Sequence, residues 1–308
     1  MYYPYLRGKQ FELLALREFA QNFHRTQKIV PIIEPVKISF NSIKLAVETM
    51  FRYELRFALV LNPNEGDFKT ENKDILSEIT SLQTSDKWVP AFAFYGSGGE
   101  IISKIDFYGF KEAMIIFKDG IDTNNFDISF LGDDRIRYIV NGDPDSRAVR
   151  KYLSGLTNKR IIRLDNCFND RPRNVDYLKN IDEKFTEAHR TFIEDGFYGF
   201  SDYVTLPKRF IDSGMLPYAV AIHLTYEKNE DEIYVHHFMS ETNDDQSNVS
   251  KKFDEAARKI EPFFIDKEHT EAVDELININ KQERYPGLGV IKKLSIKNHL
   301  ELINKILI

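Results

Sequence analysis

Six short apolar, β-branched runs begin 23 to 31 residues apart along this chain, and two more follow them. Each is closed by a polar or turn residue, and most are followed by a stretch able to form a helix, which is the sign of βα units. The eight runs are IVPIIEPV (29–36), FALVLN (57–62), WVPAFAF (88–94), AMIIF (113–117), IRYIVN (136–141), RIIRLD (160–165), DYVTL (202–206) and YAVAIHLTY (218–226). Several lack apolar/polar alternation, as expected of parallel strands covered on both faces. Eight units predict an α/β fold of the (β/α)8, TIM-like barrel type, with an open doubly wound sheet as the alternative. Only 11 residues separate Leu206 from Tyr218, about the minimum for a parallel crossover that contains a helix. The last two units are therefore expected to be irregular, either degenerate or antiparallel.

Helices are predicted over 41–54, 71–82, 145–156 and 173–193. In the first, Ile43, Ala46, Val47, Met50 and Phe51 fall at helical spacing and make one apolar stripe. Within YEKNEDEIYVHHF the polar KNEDE reads as a hairpin loop, so 227–250 is expected to be an inserted hairpin and polar loop. Helices follow at about 252–261, 267–277 and 292–307. These extra C-terminal helices, within 251–308, are expected to pack on the barrel as part of a single domain, 1–308.

Hydrophobic residues make up 42% of the 308 and aromatics 13%, far more apolar surface than a disordered chain carries. With 42 Lys plus Arg against 48 Asp plus Glu, the net charge is −6. No global field then draws phosphate backbone or anionic lipid, and nucleic acid is not an expected partner. The longest uncharged stretch, 213–226, runs 14 residues and holds Pro217 and His223, short of the ~18 apolar residues a membrane span needs. The start MYYPYLRGKQ has no apolar signal region, and Cys167 is the single cysteine. A cytoplasmic setting is expected, with no disulfide framework and no thiolate zinc cluster.

Five strings carry a resemblance of their own: YYPYLRGKQFELLALRE at the start, VPIIEPVK, GFSDYVTL, YAVAIHLTYEKNEDEIYVHHF and, near the end, GLGVIKKLSIKNHLE. Together they resemble the beta protein family of phages and bacterial genomes, and they touch the start, middle and end of the chain. The resemblance brings no reaction and no catalytic residues with it. It implies, by association with mobile and phage-related gene clusters, a role in conflict between phage and host. The function expected on that basis is a component of a phage-related or antiviral defence module that binds a protein partner or a small ligand. The barrel would be its rigid platform and the C-terminal helices its docking surface.

In a barrel, function sits at the carboxyl ends of the strands. Glu34, Asn62, Lys118, Asp119, Asn141, Asp143, Asp165, Asn166, Asp202 and His223 all lie within or just after the apolar runs, although polar residues also begin loops and cap helices there. Glu34 is the sharpest case, because IIEPV places a carboxylate inside a run that should be buried, where an unpaired charge is costly. Lys118, Arg163 or a bound metal can partner it, and a plain buried ion pair is the structural alternative. With Asp165, Asp202 and His223 it makes the candidate catalytic set, oxygen-rich and suited to a divalent metal. Asn62, Lys118, Asn141 and Arg163 are the candidate ligand-binding residues. The chemistry of such a set is metal-dependent, phosphodiesterase-like hydrolysis of a phosphorylated or nucleotide-like ligand, the metal lowering the pKa of a bound water.

Three weaker signals complete the reading. A hairpin turn centred on Asn229 and Glu230 sets His223 opposite His236, close enough for a metal or a proton relay, and turns His237 to the other face. The glycine-rich YGSGGE (95–100) can cradle an anion at a helix start, though it matches neither the P-loop nor the dinucleotide fingerprint. Basic residues cluster at 147–151, 159–163, 171–173 and 292–297. With Tyr152 and Phe168 they can form a nucleic-acid face, or they are simply solvated helix faces.

Overall fold

The structure, a computed structural model, describes residues 1–71, 73–122, 126–212, 216–229 and 231–307. Its elements begin with β1 (Tyr5–Leu6), α1 (Gln10–Asn22), β2 (Ile32–Ile33), α2 (Asn41–Arg52), β3 (Phe57–Val60), α3 (Ile75–Glu78) and β4 (Trp88–Ala93). There follow α4 (Gly98–Tyr108), β5 (Ala113–Phe117), β6 (Ile136–Asn141), α5 (Arg147–Ser154), β7 (Arg160–Asp165), β8 (Asp182–Thr186), α6 (Ala188–Thr191) and β9 (Gly199–Asp202). The last are β10 (Ala221–Asn229), β11 (Glu232–Met239), α7 (Val249–Ala257), α8 (Ile260–Phe264), α9 (Glu271–Lys281) and α10 (Leu288–Ile306). Two compact units result, one made of 1–9, 24–165 and 190–202, the other of 10–23, 166–189 and 203–308.

The first unit is the barrel. Eight strands run in the order β1-β2-β3-β4-β5-β6-β7-β9, all paired in parallel. The ends of the sheet meet at Tyr2, which bridges Ile29 on one side and Phe200 on the other. Tyr3 N donates to Phe200 O at 2.8 Å and Phe200 N to Met1 O at 3.2 Å. Gly199 permits this approach, since a Cβ there would lie 2.7 Å from Met1 O. The result is a nearly closed eight-stranded parallel barrel, consistent with a TIM-like fold. β3, β4 and β5 are buried at every residue, as strands covered on both faces must be. On α2, Ile43, Ala46, Val47 and Met50 make the buried face.

The second unit is a three-stranded antiparallel sheet, β10-β11-β8, covered by helices. Ile222, Leu224 and Phe238 of the sheet share a core with Phe253 of α7, Ile260 of α8, Leu276 of α9 and Leu294 of α10. Lys293 on α10 is held by Glu18 of α1 at 2.7 Å and Glu275 of α9 at 3.3 Å. No helix among the described residues is long and apolar enough to cross a membrane.

Several expected elements are corrected. The first six runs supply β2 to β7, but the eighth barrel strand is β1 rather than 218–226, which becomes β10 in the other sheet. The seventh run is displaced: the strand is β9, Gly199–Asp202, and of the expected 202–206 only Asp202 belongs to it. The helix expected over 173–193 does not form: a 3-10 turn over Asn174–Lys179 is followed by β8 and the short α6. Asp182–Thr186 instead completes the sheet by pairing with β11, a tertiary demand that overrides local helix preference. The hairpin register also shifts. His223 lies opposite His237, and His236 opposite Leu224: Asn229 pairs with Glu232, which offsets the strands from the expected turn, and the irregularity between Glu227 and Asn229 takes back one position of that offset; Glu230, at the expected turn centre, lies outside the described residues. The YGSGGE turn is a helix start packed on a neighbour: Ser97 caps α4 by accepting from Glu100 N, and a Cβ on Gly98 would overlap the Phe130 ring.

Gly66 tests the backbone reading most directly. Its φ is +59°, and a Cβ there would overlap the Val36 carbonyl oxygen. Gly66→Ala is expected to destabilise the protein by about 2–4 kcal/mol in urea unfolding, left-handed strain and overlap adding. Gly99→Ala, where nothing lies within 4 Å, is expected to stabilise it by up to ~1 kcal/mol through helix propensity.

Candidate functional site

Glu34 directly follows β2, and its backbone N donates to Leu6 O at 2.8 Å, which keeps it in line with β1. Its side chain is 0% exposed. A carboxylate taken out of water has to be matched by charge and hydrogen bonds. Tyr5 Oη donates to its Oε2 at 2.7 Å, Tyr95 Oη to Oε1 at 3.2 Å, and Lys118 Nζ to the two oxygens at 3.1 and 3.2 Å. Lys118 Nζ also donates to Glu65 Oε1 at 3.2 Å, and Arg7 Nε to Glu65 Oε2 at 2.9 Å. Burial works against ionisation of Glu65, but Lys118 and Arg7 outweigh it and hold its carboxyl below the usual range. Burial, and then the charge of Glu34, pushes the Tyr95 phenol up, so it remains a donor at neutral pH. Two acids and two bases therefore close on one another at the carboxyl ends of the strands.

On the far side of the barrel end, Asp165 and Asp202 are register partners at the ends of β7 and β9. Asp202 accepts from Tyr2 Oη at 2.6 Å. Arg163 grips Asp165 through two bonds, of 2.8 and 3.0 Å, and reaches Asp195 at 2.9 Å. Burial raises the Asp165 carboxyl; Arg163 pulls it down, Asp202 pushes it up again, and the balance is upward. The two amides are engaged with backbone. Asn62 donates to Ala93 O at 2.7 Å and accepts from Ala93 N at 2.9 Å, and Asn141 treats Asp143 the same way at 2.9 and 3.1 Å. Both are turn clamps. All four candidate ligand-binding residues, Asn62, Lys118, Asn141 and Arg163, thus have protein partners.

His223 belongs to the second unit. Its Nδ1 faces Nδ1 of His237 at 2.7 Å, with the Tyr177 ring 4.7 Å from one imidazole and 4.5 Å from the other. Burial pushes His237 down to about 4, only partly offset by Glu183, and burial with the neighbouring His237 holds His223 well below its ordinary value. His236 instead lies 3.3 Å from Asp182 Oδ1. Among the described residues no three His, Cys, Asp or Glu side chains come together to hold a metal ion. Each of the four residues of the expected divalent-metal set has a partner of its own: Glu34 holds Lys118, Asp165 Arg163, Asp202 Tyr2 and His223 His237. Lys118 fills one of the roles expected for it, as the partner of Glu34. Tyr5, Arg7, Glu65 and Tyr95 were not foreseen in this cluster. The one signal pointing to Tyr95 and Arg7 is their place within two residues of a strand's carboxyl end.

Compared with known proteins, the chain has no match among models of protein families, curated proteins or solved structures.

Two consequences can be measured. Lys118→Met leaves a buried carboxylate with two phenols and no cation, and should cost about 3–5 kcal/mol in urea unfolding. The histidine pair gives a pH dependence. Because its folded pKa lies below the unfolded value of 6.5, the unfolded chain takes up the proton first, and stability falls as pH drops from about 6.5 toward 4, by about 1.4 kcal/mol per pH unit and histidine. His237→Gln should flatten that slope relative to the unsubstituted chain, as read from urea midpoints at pH 7, 6 and 5.

Proposed function

We propose that the protein is a cytoplasmic binding component of a phage-related or antiviral defence module, kin to the beta protein family. In this reading its barrel is of the (β/α)8 TIM type and holds a protein partner rather than turning over a substrate. The observation that carries the proposal is the mutual engagement of the charges at the carboxyl ends of the strands: Glu34 with Lys118, Glu65 with Lys118 and Arg7, Asp165 with Arg163. A general acid or base has to reach its substrate, and here each of these groups already holds a protein neighbour.

Apolar surface lies at the other end. A groove of about 810 Å³ runs by the amino-terminal ends of β4 to β6, lined by Trp88, Phe107, Tyr108 and Phe110 among others. Phe107 is 82% exposed. Barrel enzymes place their chemistry at the opposite face, and large apolar groups left in water mark surfaces where partners bind. Phe107→Asp is expected to change stability by no more than about 0.5 kcal/mol and to remove the partner that co-purifies with the tagged chain from phage-carrying bacterial cells. A chain that retains no partner, yet cleaves phosphodiesters, would overturn the proposal.

Hydrolysis at the strand ends is the second reading, and Asp165 is the observation in its favour. Asp165 and Asp202 stand side by side at the ends of β7 and β9, the pairing of carboxyls that general acid–base catalysis uses. Asp165→Asn would then abolish phosphodiester cleavage, and an unchanged rate would dismiss it.

A further inference from the structure

The second unit contains a cavity of about 260 Å³ whose lining mixes rings, aliphatic side chains and cations. Phe168 and Tyr177 supply the rings, while Leu206, Leu288 and Ile291 add apolar surface. Three cations reach it. Arg171 is paired with Glu183 and Arg209 with Asp170, whereas Lys292 makes no ion pair among the described residues.

His223 supplies a fixed polar group on the same wall. Its ring is packed 5.0 Å from that of Phe168 and 4.7 Å from that of Tyr177, and its carbonyl accepts from Ser295 Oγ. The facing Nδ1 atoms of His223 and His237, 2.7 Å apart, share one proton. If His223 carried it, His237 would have to carry its own on Nε2, which is buried with no partner, and an orphaned buried N–H is the costlier defect. The proton therefore belongs on His237 Nδ1, and His223 is protonated at Nε2. That leaves His223 Nε2–H as a donor for whatever enters the cavity.

We propose that this cavity binds a small organic anion with one planar ring, the ring against Tyr177 and Phe168 and the anionic group between His223 Nε2–H and the Lys292 ammonium. The volume falls just below the ~300–1,000 Å³ of drug-sized pockets, so the occupant is a single ring with a short acidic arm, carboxylate or phosphate. The proposal does not rest on the function assigned to the barrel.

Calorimetric titration of the full chain tests it, with phenylpyruvate and phenyl phosphate as probes and acetate and inorganic phosphate as ringless controls. At least one ring-bearing probe should saturate a single site, and which one does tells carboxylate from phosphate. Lys292→Ala, at an exposed position, should weaken that binding about five- to tenfold, the loss of one partly solvated charge contact. Ala221→Phe, which fills the cavity, should abolish it. The proposal is overturned if neither ring-bearing probe binds up to about 10 mM, if the ringless controls bind as well, or if Lys292→Ala binds like the unsubstituted chain.

Discussion

Between Glu34 and Lys118 runs an ion pair that draws on the first five strands of the barrel at once. Lys118 leaves the end of β5 and meets Glu34 after β2 and Glu65 in the loop after β3. Glu34 in turn gathers Tyr5 of β1 and Tyr95 from the end of β4, and Arg7 closes the ring on Glu65. β1 and β2 are two residues long, so their backbone ladder is small and side chains have to set where they sit. A buried ionic network adds little net stability over an apolar one, but it is strict about geometry, because a displaced partner leaves a charge uncompensated. The short strands that close the barrel lie next to the groups whose displacement would cost most.

The same economy governs the rest of that end. Arg163 is bonded to Asp165 and Asp195, and Asn62 and Asn141 hold their turns. Rings face solvent or a cavity elsewhere among the described residues, at Phe107 in the first unit and around His223 in the second.

Much of this was legible from residue order alone. The six runs from 29 to 165 hold strands, as short, mostly apolar runs bounded by turn residues lead one to expect, and a glutamate inside one of them needed a cation. Lys118 was one of the named partners, and the structure pairs them. Closure by β1 was not legible, since Tyr5–Leu6 is too short to show any period and becomes a strand only by pairing with Ile32–Ile33. Nor was β8: DEKFT is neither an apolar run nor an alternating one, and it is the free edge of β11 that makes it a strand. The hairpin differs by one position because neither the pairing of Asn229 with Glu232 nor the irregularity between Glu227 and Asn229 can be seen in alternation, and one position is enough to exchange His236 for His237.

A double-mutant cycle on Glu34 and Lys118 bears most directly on the central claim, that these charges hold the barrel together. Urea unfolding of Glu34→Gln, Lys118→Met and the double variant yields their coupling. A coupling of about 2 kcal/mol or more, with the double variant more stable than Lys118→Met alone, is the expected result, because removing the carboxylate relieves the stranded charge. Losses that add to within about 0.5 kcal/mol would contradict it, since the two groups would then be acting independently.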